Sequence, residues 1–253
     1  MIETRGLTKR FGKHLVLDEL DLQVRAGEWV LYLGQNGAGK STTMKLLMGL
    51  GEPTAGTARV LGLDPWRQGP EVRRRVGFLP EDFHPYDYLT GREYLQFVGD
   101  LFDLGRERRD RRADELLELL DLGEAAHQFT REYSHGMRKK LGIAAALMHE
   151  PRLLVLDEPT AELDPRTSDL IRLVLRGLAD AGTGILMSTH ILGAAEKHCD
   201  RAAILHEGKL LRCGSPAEIT AQFPGLSLEE VFLRLTGTAD AEKVKSFLEK
   251  RPS

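Results

Sequence analysis

The apolar positions of this chain change period twice. Through residues 2–33 they fall in short runs and alternations separated by turn residues, at 15–17, 20–24 and 28–33, which is the spacing of strands. Residues 42–48 carry apolar positions at helical spacing. Residues 57–61 form another strand between Gly56 and Gly62, and after Arg73, Arg74 and Arg75 residues 76–79 form one that ends at Pro80. From 81 to 150 the period is helical. Thr90 and Glu93 make a capping box ahead of apolar positions at Tyr94, Leu95, Phe97, Val98 and Leu101 in a helix over 92–102. A second helix over 114–120 carries Leu116, Leu117, Leu119 and Leu120. A third over 134–149 turns Leu141, Ile143, Ala144 and Leu147 to one side.

After 150 strand and helix alternate. Residues 153–156 are apolar without a break, as expected of a parallel strand buried on both faces. A helix follows over 164–179, then a strand over 184–188 and a helix over 191–199. Residues 201–205 and 209–212 flank Glu207-Gly208 as a hairpin, and two amphipathic helices, over 228–235 and 241–250, complete the pattern. Strands and helices in this order predict an α/β fold with a parallel core sheet.

Composition mainly removes possibilities. The 253 residues allow one large domain or a domain with a subdomain. With 42% hydrophobic and 29% charged residues the chain has the make-up of an ordinary globular protein. No apolar run approaches the ~18 residues of a membrane span, and the first twelve residues lack the apolar stretch of a secretory signal. Thirty-five basic against 38 acidic residues, a net −3, give no global attraction to nucleic acid or anionic lipid. The basic run 106–112 is interrupted by acids and reads as a solvated helix face. Cys199 and Cys213 lack metal-ligand spacing and suggest no disulfide framework, so a reducing cytosol is expected.

Two stretches carry chemistry. Residues 34–42, GQNGAGKST, place Gly34, Gln35, Asn36, Gly37, Ala38, Gly39, Lys40, Ser41 and Thr42 between a strand and a helix. Glycines let backbone N–H groups wrap a phosphate, and the helix N-terminus adds donors and partial positive charge. In that setting Lys40 reaches the β- and γ-phosphates and the Ser41 hydroxyl ligates Mg²⁺. The second stretch, LLVLDEPT at 153–160, puts Asp157 and Glu158 at the C-terminal end of a buried strand, the edge where α/β sheets bind ligands. Asp157 is placed to hold Mg²⁺, and Glu158 to polarise a water as general base.

With these motifs the chain resembles the ATP-binding cassette (ABC) ATPases over nearly its whole length. In the place of the family's signature stands Tyr133-Ser-His-Gly-Met137, which departs from Leu-Ser-Gly-Gly-Gln at three positions. It keeps Ser134 and Gly136, whose hydroxyl and amide meet the γ-phosphate in the family; a serine opening a helix is equally an N-cap. Asp164, in Ala161-Glu-Leu-Asp-Pro165, is similar to the family residue that crosses the dimer interface, and His190 to the switch histidine at the γ-phosphate. Phe11 matches the aromatic that stacks on adenine, with a core phenylalanine as the alternative. Glu81 stands where the family has a glutamine; its carboxylate can still ligate Mg²⁺ but adds negative charge beside the triphosphate.

The resemblance implies a P-loop NTPase (RecA-like) core with an antiparallel β subdomain and a helical subdomain. Residues 1–237 would make one ABC ATPase domain, with 1–80 and 151–215 as β subdomain and core, 81–150 as the helical subdomain and 216–253 as a helical extension. It implies an ATPase using ATP and Mg²⁺, at which two copies of the chain, or this chain and a paired cassette, sandwich the nucleotide. The further partner would be an integral membrane permease that residues 82–89 meet, with the chain peripheral at the cytoplasmic face and no nucleic acid involved. Residues 227–237, SLEEVFLRLTG, resemble the tails of export-type cassettes with a separate permease. The other readings are a soluble ABC ATPase acting on nucleic acid or ribosomes, and a P-loop kinase or GTPase. The first typically needs fused cassettes, coiled coils or zinc sites. Against the second stand the signature-like stretch and LDEPT, and no Asn-Lys-x-Asp base-reading motif is seen.

Overall fold

The computed structural model describes residues 1–190 and 197–237. Its centre is a six-stranded sheet in the order β10-β9-β4-β8-β7-β6, formed by β4 (Trp29–Gly34), β6 (Val76–Leu79), β7 (Leu153–Leu156), β8 (Gly184–Thr189), β9 (Arg201–His206) and β10 (Lys209–Gly214). The pairings from β9 through β6 are parallel, and β10 joins β9 through an antiparallel hairpin. Every residue of β4, β7 and β8 is buried. This is why these strands read as continuous apolar runs: both faces of the sheet are covered.

The period-2 alternation within the strands divides the interior in two. Trp29, Leu31, Leu33, Leu154, Leu156, Ile185 and Met187 face a core shared with the helices α3 (Gly91–Leu101), α4 (Arg106–Leu119), α5 (His135–Leu147), α6 (Pro165–Asp180) and α8 (Leu228–Thr236). Val30, Tyr32, Leu153, Val155 and Leu186 face a second core. That core is closed by α1 (Lys40–Leu47) and by a small antiparallel sheet of β1 (Ile2–Phe11), β2 (His14–Leu20), β3 (Gln23–Val24) and β5 (Ala55–Val60).

Local side-chain chemistry sets several boundaries. Thr90 and Glu93 exchange both hydrogen bonds of the capping box at the start of α3. Ser134 caps α5, and Asp164 caps α6 with Pro165 in its first turn. The structure also departs from the sequence pattern. A short helix α2 (Gly69–Arg73) precedes β6, and α7 (Pro216–Ala221) stands where no helix is expected. The helix α4 begins at Arg106 rather than at 114, so the basic run 106–112 is its first half, exposed at Arg106, Glu107, Arg108 and Arg111 but partly buried at Arg109, Asp110 and Arg112. Two expected helices, over 191–199 and 241–250, fall mostly or wholly outside the described residues.

Candidate nucleotide site

The loop between β4 and α1 lies at the C-terminal edge of the central sheet, flanked by β8 and β9. Gly37 and Gly39 adopt φ of 80° and 108°. Gly39 is fixed twice over, since a Cβ there would also lie 2.7 Å from Leu17 Cδ2 and 2.9 Å from the Val16 carbonyl. No side chain caps α1 and no acid stands in its first turn. The donors and partial positive charge of this helix start are thus left for an anion. Lys40 is buried and folds back along the loop: its Nζ donates to Gly34 O at 2.7 Å and to Gln35 O at 3.4 Å. Gln35 turns its side chain elsewhere, donating to Thr236 Oγ1 of α8 at 3.2 Å.

Asp157 and Glu158 follow β7 beside this loop. Asp157 N continues the pairing with β6 by donating to Leu79 O at 2.8 Å. Ser188, at the end of β8, joins the two acids: its hydroxyl donates to Asp157 Oδ1 and accepts from Glu158 N. Glu158 has φ of 49°, a strained conformation for a non-glycine residue at the point where the strand ends. Its carboxylate is 5% exposed, with Oε1 lying 3.0 Å from His190 Nδ1 and 3.5 Å from Lys40 Nζ. Both are ion-pair distances without hydrogen-bond geometry, so the two carboxylate oxygens keep their acceptor capacity in a buried position. His190 is half exposed and forms the open side of the group.

Glu81 comes in from the loop after β6. Its Oε2 lies 3.5 Å from Ser41 Oγ, and its backbone carbonyl accepts from the buried Lys139 Nζ at 2.8 Å. Burial pulls the Lys139 ammonium below the usual lysine range, while Glu81, Asp157, Glu158 and Asp82 act in the opposite direction. Neither Lys139 nor Ser188 stood out in the sequence as a site residue. Ser188 stands two residues before His190 in Ser188-Thr-His190 and could have been found there, whereas Lys139 reads as one of two adjacent lysines ahead of the apolar part of its helix.

The remaining residues stand apart. Phe11 is 57% exposed at the end of β1, with Lys9 Nζ 4.7 Å from its ring centroid, so it is not a core phenylalanine. Ser134 is exposed, and its Oγ accepts from Met137 N at 3.2 Å. Gly136 packs beside Leu163, and His135 lies 3.7 Å from Glu162. The signature-like turn therefore adjoins the loop that carries Asp164, whose carboxylate accepts from Thr167 N and is held below the usual range by that residue. Among the described residues no hydrogen bond or ion pair joins Ser134, Gly136 or Asp164 to residues 34–42. A cavity of about 820 Å³ opens at the opposite edge of the sheet, between Arg59, Arg75 and Arg152, and contains none of the site residues.

This geometry has a counterpart in known proteins. The model of the "ABC transporter" family matches residues 17–161, more than half of the chain. The chain belongs to the ABC transporter family. Among its relatives, the "Probable multidrug ABC transporter ATP-binding protein YbhF" of Escherichia coli K12 is 34% identical over 96% of this chain. That match covers 43% of YbhF, so this ABC chain spans under half of that relative. The daunorubicin/doxorubicin resistance ATP-binding protein DrrA of Streptomyces peucetius is 38% identical over 97% of this chain and 74% of its own length. Among solved structures, an ATP-binding subunit of an ABC transporter superposes with a TM-score of 0.87 at 34% identity, covering 94% of this chain and all of that one. The dimeric cassette MJ0796, in a post-hydrolysis state bound to ADP and Pi, superposes with a TM-score of 0.78 at 26% identity, over 85% and 98%. The fold is that of an ABC ATPase cassette with a P-loop NTPase core.

Proposed function

We propose that this chain is the ATP-binding and ATP-hydrolysing subunit of a membrane transporter, powering export through a separate permease. The observation that carries the reading is the Glu158 carboxylate, buried between Lys40 and His190 beside the uncapped start of α1. A buried base with free lone pairs, next to a phosphate cradle, suits the activation of a water that attacks the γ-phosphate. Lys40 would bind the β- and γ-phosphates, giving up its bonds to Gly34 and Gln35 carbonyls. His190 would hold the γ-phosphate from the open side. Phe11 would stack on the adenine.

Ser41, Glu81 and Asp157 offer only oxygen donors, the set a hard divalent cation takes. No group of three His, Cys, Asp or Glu side chains among the described residues forms a closed metal cage. This fits Mg²⁺, which keeps waters and substrate phosphates as ligands. When bound it would offset the negative charge of the phosphates.

Among the described residues, Ser134, Gly136 and Asp164 make no hydrogen bond or ion pair with the chain's own residues 34–42, which supports a site completed by a second subunit. Two copies, or this chain and a paired cassette, would each enclose a nucleotide between residues 34–42 of one and 134–137 of the other, and ATP would favour the closed pair by contacting both. Residues 1–237 would act as one cassette, in which residues 81–150 rotate against the rest and residues 216–253 form an extension. Tyr86 and Tyr88, both strongly exposed in the 82–89 loop, would meet the permease at the cytoplasmic face of the membrane. The names of YbhF and DrrA, a multidrug transporter and a drug-resistance protein, support export. Affinity recovery of the tagged chain from detergent-solubilised membranes tests this reading. A multi-span protein that stimulates ATP turnover is the expected result, and recovery of ribosomes or nucleic acid alone contradicts it.

A further inference from the structure

Lys139 lies five residues after Ser134 on α5 and is 5% exposed. A buried ammonium needs partners. The one hydrogen bond it makes among the described residues is to the backbone carbonyl of Glu81, 58 positions away. The carboxylates acting on it are Glu81, Asp157, Glu158 and Asp82. Glu81 in turn reaches Ser41, the first-turn serine of α1, at 3.5 Å.

These contacts set a charge balance. With an amide at position 81, Asp157 and Glu158 would be the two carboxylates beside the incoming phosphates, with Glu158 3.5 Å from Lys40 Nζ. A glutamate makes three, and each added negative charge beside the phosphates repels a polyphosphate. Lys139 is a buried cation held on the backbone of that same residue, 2.8 Å from its carbonyl oxygen, where its charge can offset the carboxylate. Its backbone bond also fastens the loop of residue 81 to the helix that begins at Ser134.

We propose that Lys139 is a positioning residue of the nucleotide site: it neutralises the carboxylate at position 81 and holds that loop to the helix of Ser134. The inference rests on the nucleotide-site reading above. It makes positions 81 and 139 an energetic pair, so that the glutamate is tolerated because the lysine is there.

The test is a double-mutant cycle on the full chain with K139M, E81Q and K139M/E81Q, and with K139R as the charge-conserving control. Mg·ATP affinity, its dependence on Mg²⁺ concentration and the thermal midpoint are measured for each. K139M is expected to weaken Mg·ATP binding about tenfold and to lower the midpoint. E81Q alone is expected to raise affinity, because it removes a negative charge beside the phosphates, K139M/E81Q recovers most of both losses, and K139R binds close to wild type. Equal losses from K139M with Glu or Gln at position 81 overturn this inference alone, as does a K139M chain that binds like wild type. If K139M is too unstable to bind nucleotide, the midpoints decide: recovery in K139M/E81Q supports the pairing and its absence overturns it. A wild-type chain that binds no ATP overturns both this inference and the reading on which it rests.

Discussion

His190 Nδ1 stands 3.0 Å from Glu158 Oε1, and the sheet register brings these two residues together. Leu156 of β7 is paired with Met187 of β8. Two residues beyond the first comes Glu158 and three beyond the second comes His190, so the acid and the imidazole emerge side by side at the edge of the sheet. Lys40, at the start of α1 after the third strand along, closes the group at 3.5 Å from the same oxygen. Three elements far apart in sequence thus converge on one carboxylate.

The first consequence concerns His190 itself. It is half exposed and holds no part of the core, so His190→Ala should leave the fold intact. Steady-state ATP hydrolysis by the variant is expected to show kcat lower by about 10²-fold with a small change in KM. Unchanged kcat would separate His190 from the chemistry.

Ser188 carries stability as well as geometry. Its hydroxyl serves Asp157 and the backbone N–H of Glu158 in a fully buried position. Ser188→Ala leaves both without that partner and should cost about 1–3 kcal/mol, read from denaturant unfolding. A loss of less than about 0.5 kcal/mol would mean that water or Thr189 takes its place.

Gly39 admits no side chain. The added methyl of Gly39→Ala would meet Leu17 and the Val16 carbonyl in a backbone conformation that L-residues avoid. Destabilisation of about 1–3 kcal/mol and loss of measurable ATP binding are expected from calorimetry. An alanine variant with wild-type affinity would show that the loop holds phosphate in another conformation.

One pH dependence lies away from the nucleotide. His149 stacks on Phe102 with ring centroids 3.8 Å apart, and burial pushes its pKa down from 6.5 to about 4. A histidine with a lowered folded pKa binds fewer protons folded than unfolded. Its contribution is therefore complete above pH 6.5 and is lost progressively as pH falls toward 4. His149→Phe should flatten the fall in thermal midpoint across that window relative to wild type. Parallel profiles would assign the acid sensitivity to the carboxylates.

How far the sequence foretold this molecule depended on the range of each interaction. The capping box of Thr90 and Glu93 and the caps at Ser134 and Asp164 span three residues, and they are legible because donor and acceptor lie within one turn. The strands β4 and β7 are legible because burial on both faces leaves an unbroken apolar run. Helices α2 and α7 span only five and six residues, too short for periodicity to register, although Ser215 and Glu218 form a capping box that marks α7. The contacts that arrange the site are of another kind. Lys139 with Glu81, Ser188 with Asp157 and Gln35 with Thr236 are 58, 31 and 201 positions apart. Nothing local in the chain announces them. Ser134 takes the cap reading in this structure: its hydroxyl accepts from Met137 N at the start of α5.

The central claim, a catalytic carboxylate in half of a two-chain ATP sandwich, is tested most directly with Glu158→Gln. The amide keeps the shape of the side chain and removes the base. In saturating Mg·ATP the variant should lose at least about 10²-fold in turnover and remain as a stable dimer by analytical ultracentrifugation, returning to monomer when ATP is replaced by ADP. A variant that hydrolyses ATP at the wild-type rate, or that stays monomeric with ATP bound, would contradict the account.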